Sequence, residues 1–427
     1  MNETPGAHQQ KYPALILHRG KTHAVKRFHP WLFSGAVKSK IGNPDQGDIV
    51  EIFSEDGEFL GIGHFGTGSV SARIFSFKKV NSLEDLWREK FKTAFNLRRS
   101  LGLTESKTTN AYRLINAEGD GMPGLIIDWY NGTAVIQCHS KGMNAEKENF
   151  VQVLKDGFNE RLLAVYDKSA TTLNHKFESD TIEDASEMSA EENLKPEIKN
   201  QKATDGYLYS KSPSCDLGAV LENNHRFNVD WVLGQKTGFF IDQRDNRSLL
   251  ARYAHGKTVL NTFCYSGGFS VYALKAGASL VHSVDSSVKA IDWTNQNVTL
   301  NNTSGSHEAF AADVFDFIKA SNNQYDLIVL DPPAFAKAQS ARHHAIQAYT
   351  RLNAAAFKKI KPGGIVFTFS CSQVVNQEMF IGAVTSAAIE SGRNIRVLHH
   401  LTQPADHPVS IFNPEGLYLK GLVLHVD

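Results

Sequence analysis

The stretch KTVLNTFCYSGGFSVYALKAGASLVHSVD, residues 257–285, decides how this chain is read. It opens on a β-rich apolar run, Thr258-Val259-Leu260, and breaks at a glycine turn, Ser266-Gly267-Gly268. Phe269, Tyr272, Ala273 and Ala276 then recur at helical spacing until Gly277. A second β-run, residues 280–284, delivers one acid, Asp285. Strand, Gly-rich turn, helix, strand and acid make one βαβ nucleotide-binding unit. The glycines let backbone approach a ligand, and the helix start offers free N–H groups. An acid at the tip of the second strand can accept hydrogen bonds from both ribose hydroxyls. The competing reading is an ordinary α/β crossover with a Gly turn. The dinucleotide order GxGxxG is absent, so a ligand with ribose and adenine but no pyrophosphate is favoured, and S-adenosylmethionine fits. Asn261, Phe263, Tyr265, Ser266, Gly267, Gly268, Asp285 and Ser286 are the expected cofactor contacts from this unit.

Downstream the α/β alternation continues. A short strand at 309–312 ends at Asp313-Val314, placed like Asp285, where Asp313 can take the adenine amino group, cap the next helix, or both. The strand 325–330 delivers Asp331-Pro332-Pro333-Ala334-Phe335. Two prolines after a buried strand fix an extended turn, which sets Asp331 at the sheet edge and lets Phe335 offer a ring face to a base. A turn at 361–364 and a strand at 365–369 lead to Ser370-Cys371-Ser372. A thiolate there could add to C6 of a cytosine and make C5 nucleophilic, with Asp331 as the nearest base. A small buried hydrophobe is the competing role for Cys371. Upstream, the polar stretch 236–247 surrounds an aromatic pair. Phe240, Asp242 and Gln243 are expected at the cofactor, and Arg244 and Arg247, with Phe335 and Lys337, at an RNA substrate.

Length and charge frame the rest. The 427 residues exceed one typical domain. No apolar run approaches the roughly 18 residues that spanning a bilayer requires. The opening MNETPGAHQQK lacks an apolar signal core, so a cytoplasmic protein is expected. Four cysteines show no metal spacing, and no metal is expected. The net charge is zero but uneven: residues 1–100 hold 15 Lys+Arg against 10 Asp+Glu, and residues 168–210 hold 5 against 9. Short β-runs from residue 12 to 79 predict a small barrel or sandwich. Its loop cations, Arg19, Lys21, Lys26 and Arg27, suit an RNA backbone, while the interleaved Phe28 and Trp31 read as core. The architecture expected is multidomain α/β: a β-barrel at 12–80, an α+β linker domain at 81–233 with a mobile acidic insertion near 168–205, and a Rossmann-like domain at 234–427.

Residue by residue, HRGK (18–21), HPWLFSGAV (29–37), GDIVEIF (47–53) and GIGHF (61–65) resemble a PUA domain, a small RNA-binding barrel. The runs QKTGFFIDQRDNR (235–247), NTFCYSGGFS (261–270), SVDSS (283–287), DPPAFAK (331–337), TFSCS (368–372) and ADHPV…NPEGLYLKG (405–421) resemble the bacterial large-subunit ribosomal RNA cytosine-5 methyltransferase I family. The resemblance implies a class I fold, S-adenosylmethionine as donor, 23S ribosomal RNA or a large-subunit precursor as substrate, and Cys371 as nucleophile. Self-association into a homodimer is left open. A guanine-methylating branch shares the DPP turn but lacks this cysteine. Unlike two-cysteine RNA cytosine methyltransferases, the chain has no cysteine in its DPP motif. The rival functions are guanine-N methylation with a structural Cys371, and a non-catalytic RNA-binding assembly factor.

Overall fold

A computed structural model describes residues 11–173, 204–212, 219–336 and 338–427. Among them three main sheets follow in chain order. The first has six strands, β1 Ala14–Leu17, β2 Trp31–Phe33, β3 Val37–Ile41, β4 Ile49–Ser54, β5 Phe59–Phe65 and β6 Val70–Ser76, in the order β2-β6-β5-β4-β1-β3. Asp56-Gly57 makes the β4–β5 turn, with Gly57 at φ 85°. Strands β2 and β3 fall where the cations and aromatics had suggested only a loop.

The second sheet runs β11-β10-β9-β8-β7, from β7 Ala111–Asn116, β8 Leu125–Tyr130, β9 Thr133–Cys138, β10 Ala164–Asp167 and β11 Gly206–Ser210. Asn131-Gly132 closes the β8–β9 hairpin with positive φ at both residues. The helix Leu83–Ser100 begins at Ser82, whose hydroxyl accepts from Asp85 N, and buries Trp87 and Phe91 on this sheet. The expected acidic insertion begins too early. Lys168 and Ser169 are buried, the Ser169 hydroxyl accepts from Cys138 N, and Asp205 accepts from Ala170 N. Its remainder, 174–203, lies outside the described residues. A small hairpin, β12 Val220–Glu222 with β13 His225–Phe227, leads out.

The third sheet holds β14 Thr258–Thr262, β15 Leu280–Asp285, β16 Ser306–Ala311, β17 Tyr325–Leu330, β18 Ile360–Ser370, β19 Ile395–Leu401 and β20 Lys420–Val426. Its order is β16-β15-β14-β17-β18-β20-β19, parallel from β14 to β18 with β20 antiparallel. Residues 361–364 form a bulge inside β18, not a turn before it: Tyr325 pairs with Ile360 and Leu327 already with Ile365. The helices Arg342–Lys359 and Gln377–Ser391 cover one face; Arg244–Ala254 and Gly268–Lys275 cover the other. Chain order reverses beside β14, so the ligand crevice belongs at the carboxyl ends of β14 and β17.

A buried ionic knot joins the second and third sheets. Asp406 accepts from both terminal nitrogens of Arg244 (3.0 and 2.8 Å) and from Arg113 N (3.0 Å). Its backbone oxygen accepts from Arg98 Nη2, whose guanidinium forks onto Asp120. Arg113 in turn pairs with Asp128, which also accepts from the Thr237 hydroxyl. Burial pushes the Asp406 carboxyl up, yet His407 and Arg244 outweigh it and hold it well below the usual range. Asp406→Ala strands a buried guanidinium and a backbone N–H and is expected to remove about 3–5 kcal/mol of stability, read by chemical denaturation. A loss under about 1 kcal/mol would show the knot to be dispensable.

Candidate functional site

One cleft of about 220 Å³ opens at the carboxyl edge of the third sheet. Its floor is the loop after β14. Phe263, Tyr265 and Gly267 all sit at positive φ (52°, 47° and 78°), alternate left-handed positions that cost energy in a loop lining the cleft. Gly267 has no alternative: a Cβ there would lie 2.7 Å from Thr294 Cγ2. The helix Gly268–Lys275 starts at once, with its first N–H groups lacking intrahelical partners. Asp285 at the end of β15 holds this loop, accepting from Tyr265 N and Ser287 N at 3.0 Å each, and lines the cleft with Ser286.

The opposite wall comes from residues 235–247. Phe240, Asp242 and Gln243 line the cleft, and Lys236 lies over the Phe240 ring at 4.8 Å. Asp242 accepts from the Tyr418 hydroxyl at 2.7 Å. Burial raises its carboxyl, but Lys236, His407, Tyr418 and Arg113 together keep it low. Gln243 accepts from Asn246 Nδ2 and donates from Nε2 to Asp331 at 3.0 Å.

The reactive corner follows β17 and β18. Asp331, Pro332, Pro333 and Cys371 share the cleft lining. Burial, then the charge of Asp242, push the Asp331 carboxyl up to about 7, against the Gln243 hydrogen bond. Burial also raises the Cys371 thiol; Lys236 opposes this, and Asp331 and Asp242 add to it. Cys371 is half-buried, with Sγ 4.0 Å from the Pro332 oxygen. Cys138 and Cys264 are buried and pushed up to about 12, which leaves Cys371 as the accessible thiol among the described cysteines.

Several expected site residues stand elsewhere. Asn261 is buried under the loop, bonded to the Ser270 hydroxyl at 2.8 Å. Asp313 caps the helix Val314–Ala320, accepting from Phe315 N and Asp316 N, and Val314 is buried. Phe335 turns away: its ring packs on Tyr349 at 4.8 Å, because Ala334 carries the chain one residue past the edge toward helix Arg342–Lys359. Arg244 and Arg247, expected at RNA, are 5% and 3% exposed. Arg244 is held by Asp406, and Arg247 forks onto Glu222 at 2.8 and 2.7 Å and lines the cofactor cleft. Neither guanidinium has a free face for phosphate. Lys337 lies outside the described residues. Arg19, Lys21, Lys26 and Arg27 are exposed on the barrel, Arg19 paired with Asp56 and Lys26 with Glu58. Lys236, the first residue of the polar stretch 236–247, lines the cleft; the sequence reading gave no role to Leu419 or Tyr418, which reach the cleft or its acid only through the fold.

A parallel sheet reversing at β14, with an acid after its second strand and a proline-fixed acid and thiol at the next two edges, defines a class I nucleotide-dependent transferase. The comparisons agree. A family described as S-adenosylmethionine-dependent methyltransferase matches residues 171–413, and a PUA-like domain family matches residues 15–77. Ribosomal RNA large subunit methyltransferase I of Aeromonas hydrophila is 37% identical over 419 residues, spanning 96% of this chain and 98% of that protein. Its namesake from Shewanella amazonensis is 35% identical over 418 residues, spanning 96% and 99%. A solved candidate S-adenosylmethionine-dependent methyltransferase from Streptococcus mutans superposes with a TM-score of 0.79 at 23% identity, covering 97% of this chain and 100% of that one. A second solved chain, complexed with S-adenosylhomocysteine, gives 0.80 at 22%, covering 97% and 100%. The chain belongs to the ribosomal RNA large subunit methyltransferase I family of S-adenosylmethionine-dependent methyltransferases.

The cleft fits that donor. Asp285 is an acid lining the cleft, Phe240, Phe263 and Tyr265 give it aromatic walls, and the buried Asp242 Oδ1 has no hydrogen-bond partner among the described residues. Among the described residues no helix is long and apolar enough to cross a membrane, and no group of three or more His, Cys, Asp or Glu could hold a metal ion.

Asp331 carries a stability signature. Its folded pKa of about 7 lies above the ordinary ~3.9, so between those values the folded state binds a proton that the unfolded state has lost. Stability contributed by this group therefore falls as pH rises from about 4 to 7. Asp331→Asn, which keeps an acceptor for Gln243, is expected to raise the melting temperature relative to the parent at pH 8 and to lose that advantage at pH 4. Equal differences at both pH values would remove the case for a destabilised carboxylate.

Proposed function

We propose that the protein methylates C5 of a cytosine in large-subunit (23S) ribosomal RNA, with Cys371 as nucleophile and Asp331 as proton acceptor. The observation that carries this reading is the joint presence of the Cys371 thiol and the Asp331 carboxylate in the lining of one cleft, next to the nucleotide-binding loop. When bound, S-adenosylmethionine supplies an electrophilic methyl group on its sulfonium. Asp285, the 263–268 loop and Phe240 would hold it.

Cytosine C5 is too weak a nucleophile on its own. The Cys371 thiolate adds to C6, forming a C–S bond and moving electron density through the ring, so that C5 becomes enamine-like and able to accept a methyl group. Lys236 favours the thiolate over the thiol, against the burial that resists charge. Once C5 is methylated, its proton must leave. Asp331 takes it, and the electron pair expels sulfur from C6 and restores the ring. A carboxylate with a proton affinity near neutrality is suited to that task, where an ordinary one is too weak a base. The Gln243–Asn246 relay fixes the carboxylate's orientation.

Cys371→Ala is expected to lower methyl transfer to ribosomal RNA by at least about a thousandfold while leaving donor affinity unchanged by calorimetry. RNA carrying 5-fluorocytosine, which has no C5 proton to release, is expected to form a denaturant-stable adduct with the parent and none with this variant. Undiminished turnover by Cys371→Ala, or mass mapping that puts the methyl on guanine, would end the reading.

A further inference from the structure

Three aromatic rings stand on the surface, among them Phe28, which the sequence suggested as core. Phe28 is 49% exposed, Phe33 46% and Phe412 50%. Phe28 occupies the left-handed region at φ 63°, a strained place for a bulky residue. Burial does not repay the strain. The Phe28 ring meets Phe77 at 5.3 Å and Phe412 at 5.4 Å, both in edge-type contacts. Phe33 lies against His29, the residue after Phe28, with ring centroids 5.9 Å apart. Phe412 belongs to the loop between β19 and β20, so the barrel and the catalytic sheet build this surface together. His29 Nε2 lies 3.6 Å from Glu415 in the same loop. Beside Phe28, Arg27 is exposed and makes no ion pair among the described residues, unlike Arg19 and Lys26.

We propose that Phe28, Phe33 and Phe412 form a composite platform on which unpaired bases of the substrate RNA stack, with Arg27 against the adjoining phosphate. The proposal rests on the RNA substrate argued above and adds where that RNA is held outside the cleft. Charge favours RNA over an apolar protein partner, because a free guanidinium beside half-exposed rings suits a polyanion with planar bases. The rings are inclined to one another, Phe28 and Phe412 by 60°, so they offer separate faces in place of one flat apolar patch. The loop also sets the reach. Leu419 lines the cleft seven residues after Phe412, a span of at most about 25 Å for an extended chain. Bases flanking the target can therefore reach the platform.

The test measures affinity by fluorescence anisotropy for deproteinised large-subunit ribosomal RNA and for a mixed-sequence single-stranded oligoribonucleotide. Phe28→Ala, Phe33→Ala and Phe412→Ala are each expected to weaken binding by roughly tenfold, with melting temperature and S-adenosylmethionine affinity unchanged. Phe28→Trp should keep the affinity and Phe28→Leu should not. Arg27→Ala should lessen the salt dependence by about one phosphate contact. Unchanged binding in the Phe28→Ala/Phe412→Ala double variant would overturn the platform, as would equal rescue by leucine and tryptophan. A dimer that dissociates on these substitutions would also overturn it, by making the surface a contact between copies. If those variants bind normally while the parent methylates ribosomal RNA, the platform alone fails. A parent that does not bind ribosomal RNA removes both readings.

Discussion

One buried carboxylate, Asp406, holds the catalytic half in register with the half before it. It is sealed from water, which is costly for a lone charge, and is tolerable because every side of it is answered. Arg244 forks onto it from the helix that follows the cofactor wall, Arg113 N reaches it from β7, and His407 Nδ1 lies 3.2 Å from Oδ1. The same Arg244 is the neighbour of Gln243, which fixes Asp331. The same Arg113 fixes Asp128, which fixes Thr237 beside Lys236. Positions in the cleft are thus set by ion pairs formed between segments far apart in the chain. Replacing that knot by apolar packing could match its stability, but an apolar contact would not impose one register.

The cleft itself concentrates unfavourable features. Two aromatic residues take left-handed backbone conformations, a carboxylate is destabilised until it holds its proton near neutrality, and a thiol is made harder to ionise. Such features persist only where the surrounding structure over-determines them. Here the sheet does so: β14, β17 and β18 run parallel, so the loop at 263, Asp331 and Cys371 leave at one edge. Lys236 is the counterweight. Its charge lowers the proton affinity of Asp242, Asp331 and Cys371 alike.

What the sequence made legible was local. The βαβ unit and the edge positions of Asp285, Asp331 and Cys371 follow from periodicity and turn chemistry over a few residues. What it hid was pairing at long range. Arg244 and Arg247 look like RNA contacts because the partners that bury them, Asp406 and Glu222, come from 162 and 25 residues away. Phe335 follows the proline turn and was expected to face a base, yet its ring packs on Tyr349. Phe28 reads as core by composition, yet its backbone conformation, invisible in a sequence, turns it outward.

The loop between β19 and β20 draws these points together. Along it Asp406 is buried in the knot, Phe412 lies on the surface against the barrel, Tyr418 bonds Asp242, and Leu419 lines the cleft. One short segment is therefore tied to the second sheet, to the barrel and to the wall of the cleft. Its first part is fixed by the buried Arg244–Asp406 pair and its last part by the Tyr418–Asp242 hydrogen bond, with Phe412 between them.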